Sequence, residues 1–180
     1  DLIYQGFDFD PMTPNQADAD AVRAELGMNE HFSIGCVGRL FPTKGHQYLV
    51  TALAELSKSI PNVRLFVAGS GDAELVLGPA RRLGVEDRIV LLGYRSDVPA
   101  FMRAVDVVAH ASLTEAFCQT IIEALAASAP LVVTNVAGAP EVVRDGINGL
   151  LVAPRDSAAL VAAIRSLHAS PSTRAALAAN

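Results

Sequence analysis

The sequence has few of the residues that mark specialised kinds of protein. It contains two cysteines, Cys36 and Cys118, whose spacing fits neither a disulfide framework nor a metal site. Tryptophan is absent, and no apolar run reaches the roughly 18 residues of a membrane span. The first residues do not form a charged segment followed by an apolar one, as a secretory leader would. Cys36 lies in an apolar run and is most simply a reduced core residue, which predicts a cytoplasmic setting.

Charge is also sparse, and its sign is informative. Charged residues make up 18% of the chain and the formal net charge is -5, so the basic stripe expected of a nucleic-acid-binding domain is missing. With 51% hydrophobic residues, the chain is predicted to be globular rather than disordered. Its 180 residues suit a single domain. The chain begins with Asp1 rather than Met, and we therefore expect it to be part of a longer protein.

Short apolar strands alternate with amphipathic helices through most of the sequence. Residues 1–32 are predicted to form a leading segment and a first helix, and residues 33–180 a single Rossmann-like domain. The predicted strands are Ser33–Gly38, Val63–Ala68, Arg88–Leu92, Asp106–Ala111, Leu131–Thr134 and Gly149–Val152. The predicted helices between and after them include His46–Ile60, Phe117–Ser128, a helix capped by Asp72, short helices at Asp97 and Glu141, and a last long helix capped by Asp156. This alternation predicts an α/β fold with a doubly wound parallel six-stranded sheet in the order 3-2-1-4-5-6.

Polar residues follow strands 1 and 4, where a sheet of that order reverses direction and binds ligands. Arg39 and Lys44 lie in the loop after strand 1, and Glu115 follows strand 4 just before a helix. Cations that face a helix N-terminus favour an anion, because the unpaired amides and the helix dipole add to their charge. Alternatively, Arg39 and Lys44 are solvated loop cations and Glu115 is a helix cap.

A second glutamate, Glu123, lies eight residues after Glu115. Eight residues of helix rise by about 12 Å, whereas the paired carboxylates of a glycosidase lie about 5–9.5 Å apart. The two glutamates therefore suit different parts of one extended ligand better than they suit glycoside hydrolysis.

Several linked motifs resemble those of the family-four retaining glycosyltransferases, the "group 1" family with the GT-B fold. The run SLTEAFCQTIIEALAASAPLVVTNVAGAPEVVRDGINGLLV resembles its signature region, in which Glu115 and Glu123 would be the two glutamates. The segment VGRLFPTKG resembles its arginine-and-lysine loop, and VAGSG, LLGYRSDVPAFM and LIYQGFD resemble further landmarks in the same order. The resemblance implies the donor half of a two-domain enzyme whose N-terminal acceptor domain lies outside this chain.

The resemblance also assigns roles to individual residues. Arg39 and Lys44 would bind the diphosphate of a UDP-, GDP- or ADP-sugar, and Glu123 would bind the ribose. The transferred hexose and the distal phosphate would contact Glu115 and the backbone of three residues, Phe117, Cys118 and Gln119. The backbone of Tyr94 and Arg95, with Gly69 nearby, would lie close to the base. No cofactor or metal is expected, and the acceptor, a sugar, lipid or small molecule, would bind the other domain, with the full-length protein peripheral to the membrane.

Three positions depart from the family pattern. Cys118 stands where a glycine is usual, so that a side chain intrudes beside the sugar. Ala137 replaces the first of a common glycine pair, and Gln5 and Phe7 alter the first motif. The first departure bears on which sugar is transferred.

Other motifs allow competing interpretations. Asp8-x-Asp10 and Asp18-x-Asp20 match a metal motif of the other large glycosyltransferase fold, but neither lies at a strand end. The sequence Gly69-Ser70-Gly71 resembles part of a dinucleotide fingerprint, yet it follows strand 2 and has Glu74 in place of the third glycine. His46 and His110 are candidate catalytic acids or bases, although His110, at the end of strand 4, is better explained as a packed residue. Glu141 favours a helix start over a ligand contact.

The functional hypotheses belong to different classes. The first is a donor domain that supports retaining hexosyl transfer, negligible in this chain alone. The alternatives are a non-catalytic nucleotide-sugar-binding module and half of a sugar-nucleotide epimerase. Glu115 beside the sugar favours the first over a binding module, and the pair of glutamates favours it over an epimerase.

Overall fold

A computed structural model of the chain describes residue 6, residues 8–116 and residues 119–180. The six described strands are β1 (Phe32–Val37), β2 (Val63–Ala68), β3 (Ile89–Gly93), β4 (Val107–His110), β5 (Leu131–Thr134) and β6 (Leu150–Val152). The described α-helices are α1 (Gln16–Glu25), α2 (His46–Leu56), α3 (Glu74–Leu83), α4 (Val98–Ala104), α5 (Gln119–Ala126), α6 (Ala139–Val142), α7 (Ser157–Ala169) and α8 (Pro171–Ala179).

The strands form one parallel sheet in the order β3-β2-β1-β4-β5-β6. This result confirms the predicted α/β, Rossmann-like architecture. Every residue of β1 is buried, as a central strand covered on both faces requires. Its side chains alternate between two cores, since Ile34 and Cys36 belong to one cluster and Val37 to the other.

Each face of the sheet has its own layer of helices. The cluster that contains Ile34 also contains residues of α2, α3 and α7, whereas the cluster that contains Val37 contains residues of α1, α4 and α5. Helix α1 thus packs on the same face as α4 and is continuous with the domain's second core.

The amino ends of β1 and β4 are joined by a partly buried polar network. One oxygen of Asp106, Oδ2, accepts from the backbone nitrogen of Ser33 at 2.9 Å and from its hydroxyl at 2.7 Å. The Arg23 guanidinium also reaches this oxygen, at 3.3 Å. These bonds fix α1 and the two central strands at the end of the sheet opposite to the predicted site.

Most element boundaries agree with the sequence prediction within a few residues, with two differences. Helix α3 begins at Glu74, and Asp72 Oδ1 accepts from the Glu74 backbone nitrogen at 3.0 Å instead of forming the cap itself. Helix α8 begins at Pro171, where no helix was predicted, because proline fits the first turn and the Ser170 hydroxyl accepts from the Thr173 backbone nitrogen at 3.2 Å. The predicted start of α5 at Phe117 lies outside the described residues.

Candidate functional site

The loop after β1 is held against the loop after β2. The Leu40 backbone nitrogen donates to the Ser70 carbonyl at 2.8 Å, and the Leu40 carbonyl accepts from Asp72 at 3.2 Å. The Leu40 side chain is buried, which anchors the loop in the core. Arg39, next to it, is exposed, and its guanidinium carbon lies 5.5 Å from the centre of the Phe41 ring. The loop therefore presents Arg39 to solvent from a backbone that is itself fixed.

His46, at the start of α2, contacts the backbone of this loop. Its Nε2 lies 3.3 Å from the Arg39 carbonyl and its Nδ1 lies 3.9 Å from Cys36 Sγ. Burial lowers the pKa of His46, with a smaller contribution from the positive charge of Lys44. Burial also raises the pKa of the Cys36 thiol to about 12, so the thiol stays protonated. A neutral, buried imidazole that donates to a backbone carbonyl has a structural role, and this geometry does not favour the acid or base considered from the sequence.

The loops after β1 and β4 are in direct contact. The Leu113 backbone nitrogen donates to the Thr43 carbonyl at 2.8 Å. Gly45 has φ +65°, and a Cβ placed on it would lie 2.1 Å from the Ala111 carbonyl oxygen. Only glycine allows this approach, because any side chain would overlap the carbonyl. The close packing brings Lys44 beside the segment that contains Glu115.

Glu115 receives donors from both loops. Lys44 Nζ lies 2.5 Å and Ser112 Oγ 2.6 Å from Glu115 Oε1. The Lys44 and Glu115 side chains are 18% and 13% exposed. Burial acts to raise the pKa of Glu115, but the hydrogen bonds from Lys44 and Ser112 outweigh it, and the pKa lies below its ordinary value. Glu115 is therefore an ionised carboxylate in a half-buried, positively charged setting.

His110 lies beneath this pair and is buried, as the sequence predicted. Its Nε2 is 3.7 Å from Glu115 Oε1. Burial and the charge of Lys44 lower its pKa to about 4 against the opposing effect of Glu115. The imidazole is consequently neutral near pH 7 and adds no charge to the site.

Ser112 is a residue that the sequence reasoning did not single out. Its side chain is fully buried, and its carbonyl accepts from the hydroxyl of Thr134, at the end of β5, at 2.7 Å. The Ser-x-x-Glu spacing of Ser112 and Glu115 resembles a capping box, but in that motif each side chain bonds to a backbone nitrogen, so the spacing did not predict a bond between the two side chains.

The remaining predicted residues lie around this centre or outside the described part. Glu123 is on α5 and half-buried, and burial raises its pKa. Gln119 begins α5, while Phe117 and Cys118 lie outside the described residues. No contact described here joins Glu123 to Glu115, and their roles stay predictions.

Gly69, Tyr94 and Arg95 occupy the ends of β2 and β3. A Cβ on Gly69 would lie 1.9 Å from the Gly38 carbonyl oxygen, and the Gly69 nitrogen donates to the Gly93 carbonyl at 2.7 Å. Close backbone packing thus explains this glycine. Tyr94 is 80% exposed and open to a ligand.

The Arg95 side chain is held by two carboxylates. It donates to both carboxylate oxygens of Asp97, at 2.9 and 2.7 Å, and to both of Glu25, at 3.2 and 3.4 Å. These hydrogen bonds raise the pKa of Arg95, with the Asp97 bonds contributing most, and lower that of Asp97. The side chain therefore joins α1 to the start of α4, which leaves its backbone for the predicted contact with a base.

The described residues also bear on metal binding and on membrane insertion. Within residues 8–116 and 119–180, three or more His, Cys, Asp or Glu side chains nowhere converge in an arrangement able to bind a metal ion. In the same part of the chain, no helix is both long and apolar enough to span a bilayer.

Comparison with known proteins identifies the class of protein that this fold and site define. Residues 18–180 match the family model described as "Glycosyl transferases group 1". The chain therefore belongs to the group 1 glycosyltransferase family, as its motifs indicated.

Individual relatives agree with this assignment. The chain is 36% identical over 165 residues to a D-inositol 3-phosphate glycosyltransferase from Mycobacterium sp. (strain KMS), covering 87% of this chain and 36% of that protein. It matches the crystal structure of HepE from Anabaena in complex with UDP-glucose with a TM-score of 0.91 and 34% identity, over 100% of this chain and 50% of HepE. It also matches the C-terminal domain of the group 1 glycosyl transferase LpcC from Francisella tularensis, with a TM-score of 0.83, 25% identity and coverage of 97% and 94%. The chain spans about a third of the mycobacterial protein and half of HepE.

Proposed function

We propose that this chain binds a nucleotide-diphospho-sugar and acts as the donor half of a retaining hexosyltransferase. The observation that carries the proposal is the meeting of Lys44 and Glu115, from two different loops, where the strand order reverses between β1 and β4. This is the position at which open α/β sheets bind ligands. The bound UDP-glucose in HepE supports a UDP-sugar as the first donor to test.

The charges of the site suit a diphosphate leaving group. Cleavage of the bond between sugar and phosphate builds negative charge on the phosphate, and donors already aimed at that charge lower the barrier. Exposed Arg39 and half-buried Lys44 can supply these positively charged donors. Because the Lys44 ammonium is paired with Glu115, a bound diphosphate would compete with the carboxylate for this cation. Glu115 would then be available to accept from a sugar hydroxyl.

The proposal assigns the rest of the reaction to other parts of the full-length protein. The acceptor and the residue that deprotonates it belong to a further domain, and transfer with retention needs no nucleophile from this chain. We include in the proposal that no metal takes part, and that the full-length protein is cytoplasmic and peripheral to the membrane. The LpcC domain supports treating this chain as a separable unit, since it was solved as a C-terminal domain.

A thermal-shift panel with UDP-glucose, GDP-mannose and ADP-glucose tests donor binding. We expect one of them to raise the melting temperature of the chain. In Arg39→Ala and in Lys44→Ala, the donor concentration needed for the same thermal shift should rise about tenfold or more. The reason is that a charge-assisted hydrogen bond contributes about 1.5–3 kcal/mol. Arg165→Ala is the matched control, since Arg165 is an exposed cation on α7 that lies beside Glu55 and Lys58 rather than in either site loop.

The outcomes separate the proposal from its alternatives. No response to any of the three donors, or a response that Lys44→Ala leaves unchanged, would contradict donor binding at this site. Binding by the chain with negligible hexosyl transfer is expected, and robust turnover by the chain without a further domain would refute the division of labour. Binding without transfer by the full-length protein would favour a non-catalytic module.

A further inference from the structure

Two side chains donate to the same oxygen of Glu115, and they differ in how firmly they are held. Lys44 is on a loop and has a long flexible stem, and its side chain is 18% exposed. Ser112 is fully buried, and one side-chain torsion, χ1, sets the position of its hydroxyl oxygen. Its hydroxyl lies 2.6 Å from Glu115 Oε1.

The backbone of Ser112 is fixed as well. The Thr134 hydroxyl donates to the Ser112 carbonyl at 2.7 Å, and Thr134 is 1% exposed at the end of β5. Leu113, the next residue, donates to the Thr43 carbonyl at 2.8 Å. Ser112 is therefore held on both sides, by β5 and by the loop after β1, independently of any ligand.

A donor would affect the two contacts unequally. Under the proposed function, the diphosphate attracts the Lys44 ammonium away from Glu115, whereas Ser112 is uncharged, buried and held through its backbone by Thr134. The carboxylate would then keep its place through the hydroxyl bond. Without that bond, an ionised side chain with several rotamers would lose part of its orientation just when it has to meet a sugar hydroxyl.

We propose that Ser112 is a positioning residue that holds the Glu115 carboxylate toward the donor sugar, and that Thr134 holds Ser112 in turn. This inference rests on the proposed function and adds to it a residue that acts through Glu115 without touching the donor. It predicts a selective defect: the sugar part of the donor is recognised less well, while the nucleotide diphosphate part is bound as before.

Isothermal titration calorimetry with UDP-glucose and with UDP, on the chain and its variants, tests this selectivity. Ser112→Ala should weaken UDP-glucose about 3- to 30-fold, because part of a charge-assisted hydrogen bond is lost, and should change the Kd of UDP less than twofold. Glu115→Gln should weaken UDP-glucose relative to UDP, although UDP itself should bind more tightly because Lys44 loses its carboxylate partner. Adding Ser112→Ala to Glu115→Gln should change that ratio little more, since the two residues act as one unit.

A second pair of variants separates the hydroxyl contact from general damage to the fold. Thr134→Val removes the support of Ser112 at nearly constant volume and should reproduce a weaker form of the selective loss, whereas Thr134→Ser should restore binding. Ser57→Ala is the matched control, because the Ser57 hydroxyl also makes a local bond, 2.9 Å to the Ala54 carbonyl, on the far end of α2.

The pKa of the Glu115 carboxyl, measured by 13C NMR, provides a reading that needs no donor. Loss of the hydroxyl bond to the ionised form should raise this pKa in Ser112→Ala and leave it unchanged in Ser57→Ala. Equal losses of UDP and UDP-glucose, or an unchanged Glu115 pKa in Ser112→Ala, would overturn the positioning role. If wild type binds neither ligand while the Glu115 pKa still rises in Ser112→Ala, the proposed function fails and Ser112 is shown to hold the carboxylate.

Discussion

The contact between Gly45 and the Ala111 carbonyl gives a sharp test of how rigidly the two site loops are joined. In Gly45→Ala, the new Cβ would lie 2.1 Å from the carbonyl oxygen, so one loop has to move by about 1 Å. The residue also has φ +65°, a left-handed conformation that costs a non-glycine residue roughly 1–2 kcal/mol. Overpacking adds about 1–3 kcal/mol. We therefore expect Gly45→Ala to lower the free energy of unfolding by about 2–5 kcal/mol.

Gly84→Ala is a control that separates the two contributions. Gly84 has φ +67° at the end of α3, and a Cβ there meets no atom within 4 Å. Its substitution should therefore cost only the conformational part, about 1–2 kcal/mol. The difference between the two variants measures the close approach of the loops.

Urea unfolding followed by circular dichroism gives both free energies, and calorimetry with UDP-glucose reports on the site. Because Lys44 precedes Gly45 directly, the displaced loop should also weaken UDP-glucose binding in Gly45→Ala, and Gly84→Ala should bind as wild type. Equal losses of stability in the two variants would refute the reasoning, since they would mean that the loops adjust to a methyl group without cost.

Two further predictions concern strain and pH. Ala137 has φ +47°, and Ala137→Gly should raise the free energy of unfolding by about 0.5–1 kcal/mol in urea titrations, because relief of strain exceeds the added entropy of the unfolded chain; a loss of stability would contradict this. The pKa of His110 is lowered from 6.5 to about 4, so the unfolded chain binds a proton that the folded chain rejects, and stability should fall as the pH drops through this window. His110→Gln should reduce that fall in pH-dependent unfolding, and an unchanged pH dependence would show that the folded ring is not kept neutral.

The arrangement of strands and helices was accessible from the sequence because it depends on local patterns. Strands such as Val63–Ala68 and Leu131–Thr134 are apolar except for Arg64 and Thr134, and both were predicted with the bounds that the structure shows. The helix that begins at Pro171 was not predicted, because proline was taken as the end of a helix, whereas here it occupies the first turn of the next one.

The candidate site was accessible only in part. Arg39, Lys44 and Glu115 could be assigned to the right two strand ends from the strand order and the motifs. The sequence could not show that Lys44 and Glu115 are already paired, since they are 71 residues apart and meet through loop packing. It likewise gave no reason to choose His46 as a support for the Arg39 carbonyl over an acid or base role.

The sequence by itself therefore determined the class of fold, the strand order and the family of this protein. Apolar periodicity, turn glycines and linked motifs carry this information, and each can be recognised within a short stretch of chain. The tertiary structure alone decided which groups share the Glu115 oxygen and which of them can move. That choice depends on the close approach of Gly45 to the Ala111 carbonyl and on the burial of Ser112 behind Thr134. Such contacts arise from three-dimensional packing, and no spacing along the chain encodes them.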